Sequence, residues 1–306
     1  MKKVIITGCT GFFGSVMTKN LLDAGVEVYG VDIKDKLNTN LFNNELFHPI
    51  EASFDDYCNL PEVIDDHEID VYFHFAWAGG FTSAIKDYKL QMSNAGFAGD
   101  ALVAAHKIGV RRFVYANTYN QYEIINFLES ECFEPRYTCI YSTGKTAASL
   151  ICRTLAHNLG IEYCAGLIPM PYGEGNYSKQ LVNVVIHSLL CGESPRLVEG
   201  NNLYDLVYVK DIIDALVSIG EKGKNGKEYY VGHRELKTFR EWMMEVRDII
   251  APQVELKFGE YKDKQLIDYS RVDLDALYRD TGFECRYDIQ DKIADTATWV
   301  NNNLKW

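Results

Sequence analysis

Lys3-Val4-Ile5-Ile6-Thr7-Gly8-Cys9-Thr10-Gly11-Phe12-Phe13-Gly14 is the stretch on which the fold turns: a short apolar run, three glycines at three-residue spacing, then a segment of helical period. Over 12–24, Phe13, Val16, Met17, Leu21 and Leu22 recur at helical spacing, and Gly25 follows where a left-handed cap would end the helix. Further apolar runs at 26–31, 71–75, 112–116 and 161–168 read, like 3–7, as buried strands, and helical patterns at 98–108 and 143–159 each stop at a glycine, Gly109 and Gly160. This alternation predicts an α/β chain with a doubly wound parallel sheet. Regularity fades after Pro169-Met170-Pro171, where Gly173 and Gly175 also interrupt the pattern. The expectation is a first domain over 1–168 and a smaller C-terminal α/β lobe over 169–306 that closes over it and holds substrate, with segments able to return to the first domain. In that lobe 181–190, 211–219 and 239–250 read as helices and 228–231 as a short strand.

Composition narrows the function classes. Among 306 residues, 31 Lys and Arg face 43 Asp and Glu, a net charge of −12 that repels nucleic-acid phosphates and anionic lipid. Neither nucleic acid nor membrane is an expected partner, and no apolar run approaches the roughly 18 to 20 residues of a bilayer span. The apolar stretch at 4–6 is too short for the roughly 7 to 15 residues of a signal-peptide core, so a cytoplasmic protein is expected. Eight cysteines lie singly between Cys9 and Cys285, without a C-x-x-C pair or metal-ligand spacing, so neither metal nor disulfide is expected.

Gly8, Gly11 and Gly14 form G-x-x-G-x-x-G between the first strand and the first helix, where backbone amides can face a pyrophosphate; the same pattern also serves a plain strand-to-helix turn. Asp32 closes the second strand 18 residues after Gly14, where a carboxylate accepts from both ribose hydroxyls of an adenosine. It would repel a 2′-phosphate, so NAD is favoured over NADP, although Lys34 and Lys36 follow closely. Tyr141 and Lys145, four residues apart, share a helix face. Such pairs are often mere surface neighbours; behind a strand ending in Asn117-Thr118 they read as a proton-exchanging phenol and its ammonium partner. Lys145 and a positive nicotinamide would lower the Tyr141 pKa toward neutrality, and Thr118 would hydrogen-bond the same reacting oxygen.

With these motifs assembled, the chain resembles the extended short-chain dehydrogenase/reductases, specifically the nucleotide-sugar epimerase, dehydratase and reductase group. Supporting segments are Val71-Tyr72-Phe73-His74-Phe75-Ala76, Arg112-Phe113-Val114-Tyr115-Ala116-Asn117-Thr118, Tyr172-Gly173 and Asp205-Leu206-Val207-Tyr208-Val209. The resemblance implies a Rossmann-like NAD(P)-binding domain and a catalytic set of Thr118, Tyr141, Lys145 and Asn94. It implies cofactor contacts from Gly8, Gly11, Phe12, Phe13, Gly14, Asp32, Ile33, Ser53, Phe54, Phe75, Ala76, Trp77, Tyr141, Lys145 and Pro169. A nucleotide-diphosphate sugar would meet Thr118, Tyr119, Asn120, Met170 and Tyr172, with Lys179, Arg196 and Arg271 as candidate pyrophosphate donors that also fit ordinary surface positions. A homodimer is implied through the helix before Gly109 and the helix bearing Tyr141; Leu102, Ala148 and Cys152 would lie on their outer faces, or else in the chain's own core.

Departures from the group shape the expected reaction. The Asp-Glu pair that eliminates water in 4,6-dehydratases is Tyr119-Asn120 here, and the R-Y-F-N segment of hexose 4-epimerases is Leu167-Ile168-Pro169-Met170. The arginine preceding the later Asp-aromatic landmark is Tyr204, and the acidic residue near adenine is Ser53. His74-Phe75-Ala76-Trp77-Ala78-Gly79 and Gln121-Tyr122-Glu123 resemble a subgroup from surface-polysaccharide pathways that includes proposed ketoreductases; His74 itself reads as a structural strand residue. Reduction of a 4-keto sugar nucleotide is the leading expectation, a 4-epimerase the alternative, and a non-catalytic dinucleotide-binding regulator the remoter one.

Overall fold

The computed structural model describes residues 1–37, 43–80, 82–129, 135–262 and 267–306. Strands β1 (Lys3–Thr7), β2 (Glu27–Asp32), β3 (Phe47–Glu51), β4 (Val71–His74), β5 (Arg112–Thr118) and β6 (Glu162–Ile168) are followed by β7 (Met170–Tyr172), β8 (Leu203–Tyr204), β9 (Leu206–Tyr208), β10 (Lys227–Tyr230) and β11 (Lys237–Thr238). Seven of them form one sheet in the order β10-β6-β5-β4-β1-β2-β3, parallel at every pairing.

Burial on both faces explains why the central strands read as unbroken apolar runs. All of β4 and β5 is buried, and alternate residues of β1 enter different cores. Val4 and Ile6 pack with Met17 and Leu21 of the Phe12–Asp23 helix and with Ile212 and Leu216 of the Val209–Lys222 helix. Ile5 packs on the other side with Ala98 and Leu102 of the Tyr88–Ile108 helix and Ala148 and Cys152 of the Thr138–Leu159 helix. Leu102, Ala148 and Cys152 are therefore core residues, not an outer face: each has 0% exposure.

Both of these helices start earlier than their apolar periodicity suggests, and for one reason. Their first turns turn polar side chains inward, Gln91 and Asn94 on one and Tyr141, Ser142 and Lys145 on the other. Asp87 caps the first helix, its carboxylate accepting from the Lys89 and Leu90 amides. The strand expected at 228–231 lies at Lys227–Tyr230. These residues join the main sheet as β10, with Glu228 opposite Ala165 of β6, because β6 would otherwise leave an edge of unpaired amides and carbonyls. Elsewhere in the C-terminal part, β7 pairs with β9 and β8 with β11, beside the helices Leu181–Leu190, Phe239–Ile250 and Ile289–Asn303.

Among the described residues no helix is long and apolar enough to cross a membrane. The described cysteines are free thiols; Cys132 lies outside the described residues.

Gly144 lets the two helices approach closely: a Cβ there would sit 2.8 Å from the Gln91 carbonyl oxygen. Gly144→Ala should lower stability by about 1–3 kcal/mol, despite alanine's better helix propensity, because backbone must move. Urea unfolding checks this; an unchanged or raised midpoint would show that the helices have slack here.

Candidate active site

The carboxyl ends of the parallel strands open onto a cavity of about 1320 Å³. It runs from Asp32 and Ile33 after β2, past the glycine loop, to Phe75–Ala78 after β4, Thr118–Asn120 at the end of β5, and Ile168–Pro171 after β6, and reaches 175–180. Of the residues expected at the cofactor, Gly8, Gly11, Phe12, Phe13, Gly14, Asp32, Ile33, Phe54, Phe75, Ala76, Trp77, Tyr141, Lys145 and Pro169 all line it. Thr118, Tyr119, Asn120, Met170 and Lys179, expected at the substrate, line it as well.

The glycine loop is tightly folded. Gly8 has φ +70° and a Cβ there would meet Ala76 backbone at 3.1 Å, while a Cβ on Gly14 would sit 2.0 Å from the Gly8 carbonyl oxygen. The Phe12–Asp23 helix starts at the cavity wall with Gly11 as its cap, no side chain on its first amides and no acidic residue in its first turn. That end suits an anion such as a pyrophosphate. Asp32 Oδ2 accepts from Thr10 N at 3.1 Å and Thr10 Oγ1 at 2.7 Å, tying the loop to β2, and Oδ1 accepts from Ile33 N at 2.9 Å. Lys36 Nζ approaches Oδ1 at 3.9 Å.

At the other end Thr118, Tyr141 and Lys145 converge, each under 10% exposed. Thr118 N donates to Asn117 Oδ1 at 2.8 Å, and Thr118 Oγ1 accepts from Asn120 N at 3.3 Å, leaving its own hydrogen free for a ligand oxygen. Lys145 Nζ donates to the Ala116 carbonyl at 2.9 Å and lies 4.0 Å from the Trp77 ring centroid and 4.9 Å from that of Tyr115. Burial lowers its pKa to about 7. The phenol of Tyr141 meets the Trp77 ring edge to face at 6.1 Å. Burial pushes its pKa up; the fall expected from the sequence takes a positive nicotinamide beside Lys145.

Other expected residues sit elsewhere. Asn94 is buried behind the cavity: its Nδ2 donates to the Ala78 carbonyl at 2.9 Å and its Oδ1 accepts from Ala78 N at 3.0 Å, so it holds the wall without lining it. Gln91 does similar work, accepting from Trp77 Nε1 at 2.8 Å and donating to the Ala84 carbonyl at 3.0 Å. Ser53 caps a short 3-10 helix through Asp56. Tyr172 is turned into the core against Tyr208. Arg196 donates to the Glu260 carbonyl, and Arg271 pairs with Glu129 and Asn126 at the surface; neither reaches the cavity, since nearby acceptors hold both. His74 is structural, hydrogen-bonded to Thr7 Oγ1 at 2.8 Å, with burial lowering its pKa to about 3.

From the sequence alone Thr10 and Asn117 have no contact of their own and Lys36 is set only near Asp32; the structure ties Thr10 to Asp32 and Asn117 to the Thr118 amide. Among the described residues no group of three or more His, Cys, Asp or Glu could hold a metal ion.

The family model described as the NAD dependent epimerase/dehydratase family matches residues 4–232. A dTDP-glucose 4,6-dehydratase of Xanthomonas campestris pv. campestris is 22% identical over 331 residues, covering 99% of this chain and 94% of that one. The UDP-glucose 4-epimerase of Thermotoga maritima, solved with UDP-glucose, superposes with a TM-score of 0.78 at 18% identity over 98% of this chain and 99% of that one. The Bordetella bronchiseptica enzyme WbmF, solved with NAD+, gives 0.78 at 20% identity over 99% and 93%. At such identities the structural likeness is one of fold.

A buried ammonium with pKa near 7 releases its proton far below the roughly 10.4 of an unfolded lysine. Between these values the unfolded chain binds more protons, so folding stability gains with rising pH, and the burial cost is full only below about 7. Lys145→Met should therefore raise the melting temperature of the ligand-free protein relative to wild type most at pH 6, with the difference shrinking toward pH 10. Thermal melts across that range test it; a difference independent of pH would mean that Lys145 titrates like a surface lysine.

Proposed function

The chain belongs to the NAD-dependent epimerase/dehydratase family, and on that premise we propose that it transfers hydride at C4 of a nucleotide-linked hexose, reducing a 4-keto sugar nucleotide. The observation that carries this reading is the meeting of Thr118, Tyr141 and Lys145 at one end of a cavity whose other end holds the glycine loop and Asp32. The glycine loop would hold the pyrophosphate of NAD(H), and Asp32 its adenosine ribose. Bound there, that cofactor supplies the hydride. Reduction of a ketone adds one hydride at carbon and one proton at oxygen. Tyr141, whose burial favours the protonated phenol, gives the proton; Thr118 donates a hydrogen bond to the same oxygen; Lys145 steadies the phenolate left behind.

Net reduction is favoured by what the cavity holds after Thr118 and after β6. Tyr119 and Asn120 stand where a dehydratase carries its acid and base, and Met170 where an epimerase carries asparagine. Lys179 lines the cavity at the 175–180 segment and suits the substrate's diphosphate. The second reading, a 4-epimerase, draws support from Asp32, since a carboxylate selecting NAD fits a cofactor regenerated in each cycle. A non-catalytic regulator is disfavoured by the intact Thr118, Tyr141 and Lys145 set. We place the enzyme in the cytoplasm on the free thiols of its described cysteines, which suit a reducing compartment. We propose a homodimer through the Tyr88–Ile108 and Thr138–Leu159 helices, where Met92, Leu150 and Ile151 are exposed apolar side chains.

Stoichiometric oxidation of NADH by a 4-keto sugar nucleotide is expected; interconversion of UDP-glucose and UDP-galactose without net NADH change would replace reduction by epimerisation. Tyr141→Phe should leave NAD affinity nearly intact and cut single-turnover rate by about 10²- to 10⁴-fold, Lys145→Met should damage both, and Thr118→Val should cost less than either. An unchanged rate in Tyr141→Phe would end the proposed mechanism. Light scattering should give twice the chain mass, and Leu150→Glu should return it to one.

A further inference from the structure

Glu228 lies on β10, far in sequence from the site residues, yet side chains of three elements converge on its carboxylate. Gln121 Nε2, from the Gln121–Glu129 helix, donates to Oε2 at 2.9 Å. Asn117 Nδ2, from β5, donates to Oε1 at 3.4 Å, and Ser149 Oγ, four residues after Lys145 on the Thr138–Leu159 helix, donates to Oε1 as well. Asn117, Gln121 and Ser149 are all buried, while Glu228 itself is half-buried.

Every contact presented to Glu228 is a donor, and an ionised carboxylate is the side chain that only accepts. Direction then propagates. With its amide nitrogen committed to Glu228, Gln121 must turn Oε1 toward Asn117, whose Nδ2 donates to it at 2.9 Å. With its own nitrogen committed, Asn117 must turn Oδ1 toward the Thr118 amide, which donates to it at 2.8 Å. Flipping either amide would set oxygen against oxygen at one end and nitrogen against nitrogen at the other. Ser149, having given its proton to Glu228, is left to accept from Tyr163 OH at 2.7 Å.

We propose that Glu228 is a positioning residue for Thr118: an acceptor-only anchor that fixes both amides between them and joins the strand bearing Thr118 to the helix bearing Tyr141 and Lys145. The consequence for turnover rests on the reading of Thr118 as the hydroxyl that meets the reacting oxygen; the consequence for the Thr118 amide does not.

The test uses Glu228→Gln, which keeps shape but brings an N–H against a donor, and Gln121→Met, which removes the relay from the other side without touching β10. Hydrogen–deuterium exchange of the intact protein should show the Thr118 amide exchanging about tenfold or more faster in both variants, with β1 amides unchanged. With a 4-keto sugar nucleotide and NADH, kcat should fall about tenfold while NAD dissociation constant and substrate KM stay within about twofold, and the double variant should be no worse than the poorer single one. Unchanged Thr118 exchange in either folded variant would overturn the proposal; faster exchange with unchanged kcat would overturn its consequence for turnover. Should Glu228→Gln not fold, Gln121→Met alone decides between these outcomes. A wild-type protein that turns over no 4-keto sugar nucleotide would instead sink the functional reading, and the exchange data would still judge the role of Glu228.

Discussion

Strands hydrogen-bonded in parallel cannot be joined by tight turns; each return needs a crossover, and each crossover leaves the next strand pointing the same way. Seven strands under that constraint bring all their carboxyl ends to one edge of the sheet, and the loops that leave them must share the space beyond it. Gly8 and Asp32, Phe75 to Ala78, Thr118 and Pro169 follow or close different strands, yet they face one cavity. Shape alone does not make such a crevice selective. What does so here is the burial of polar side chains on the first turns of two helices that also hold the sheet's core.

Those helices show how local chemistry is set against folding. A lysine with 5% exposure is costly, and the chain offsets this with the Ala116 carbonyl and two aromatic faces rather than with a carboxylate in contact. Trp77 is in turn fixed by Gln91, and Ala78 by Asn94. The net charge of −12 is likewise not felt evenly: among the described residues, those lining the cavity include Lys36, Lys145 and Lys179 against the single carboxylate of Asp32. An anionic ligand thus meets a local field opposite in sign to that of the whole molecule.

Residues whose place is set by neighbours in sequence were legible. The glycine loop, Asp32, Thr118 and the Tyr141–Lys145 pair each depend on a local backbone shape, a strand end or one helical turn, and the spacing carries that shape. Arg196 and Arg271 were misplaced for the opposite reason: a long charged side chain goes where partners hold it, and Glu129 is far from Arg271 in the chain. Tyr172 sits beside the cavity in sequence but turns inward because β7 pairs with β9 and presents it to Tyr208. The early turns of the two helices escaped notice because inward-facing Gln91, Asn94, Ser142 and Lys145 break the apolar period that marks a buried face. Pairing of β10 with β6 joins segments with no local mark that they will meet.

That pairing also sets an order in time. Ser149 and Glu228 are 79 residues apart, so at ribosomal rates of about 5–20 residues per second the carboxylate is made roughly 4 to 16 seconds after the serine. From the completion of β6 at Ile168 until β10 is made, β6 has one naked edge, and the side chains around Thr118 have no acceptor to converge on. A nascent chain can thus carry the glycine loop, the tyrosine and the lysine, all already translated, and still lack a finished site. Until Lys227–Tyr230 is made, the amides and carbonyls along that edge of β6 lack the strand that pairs with them in the finished sheet.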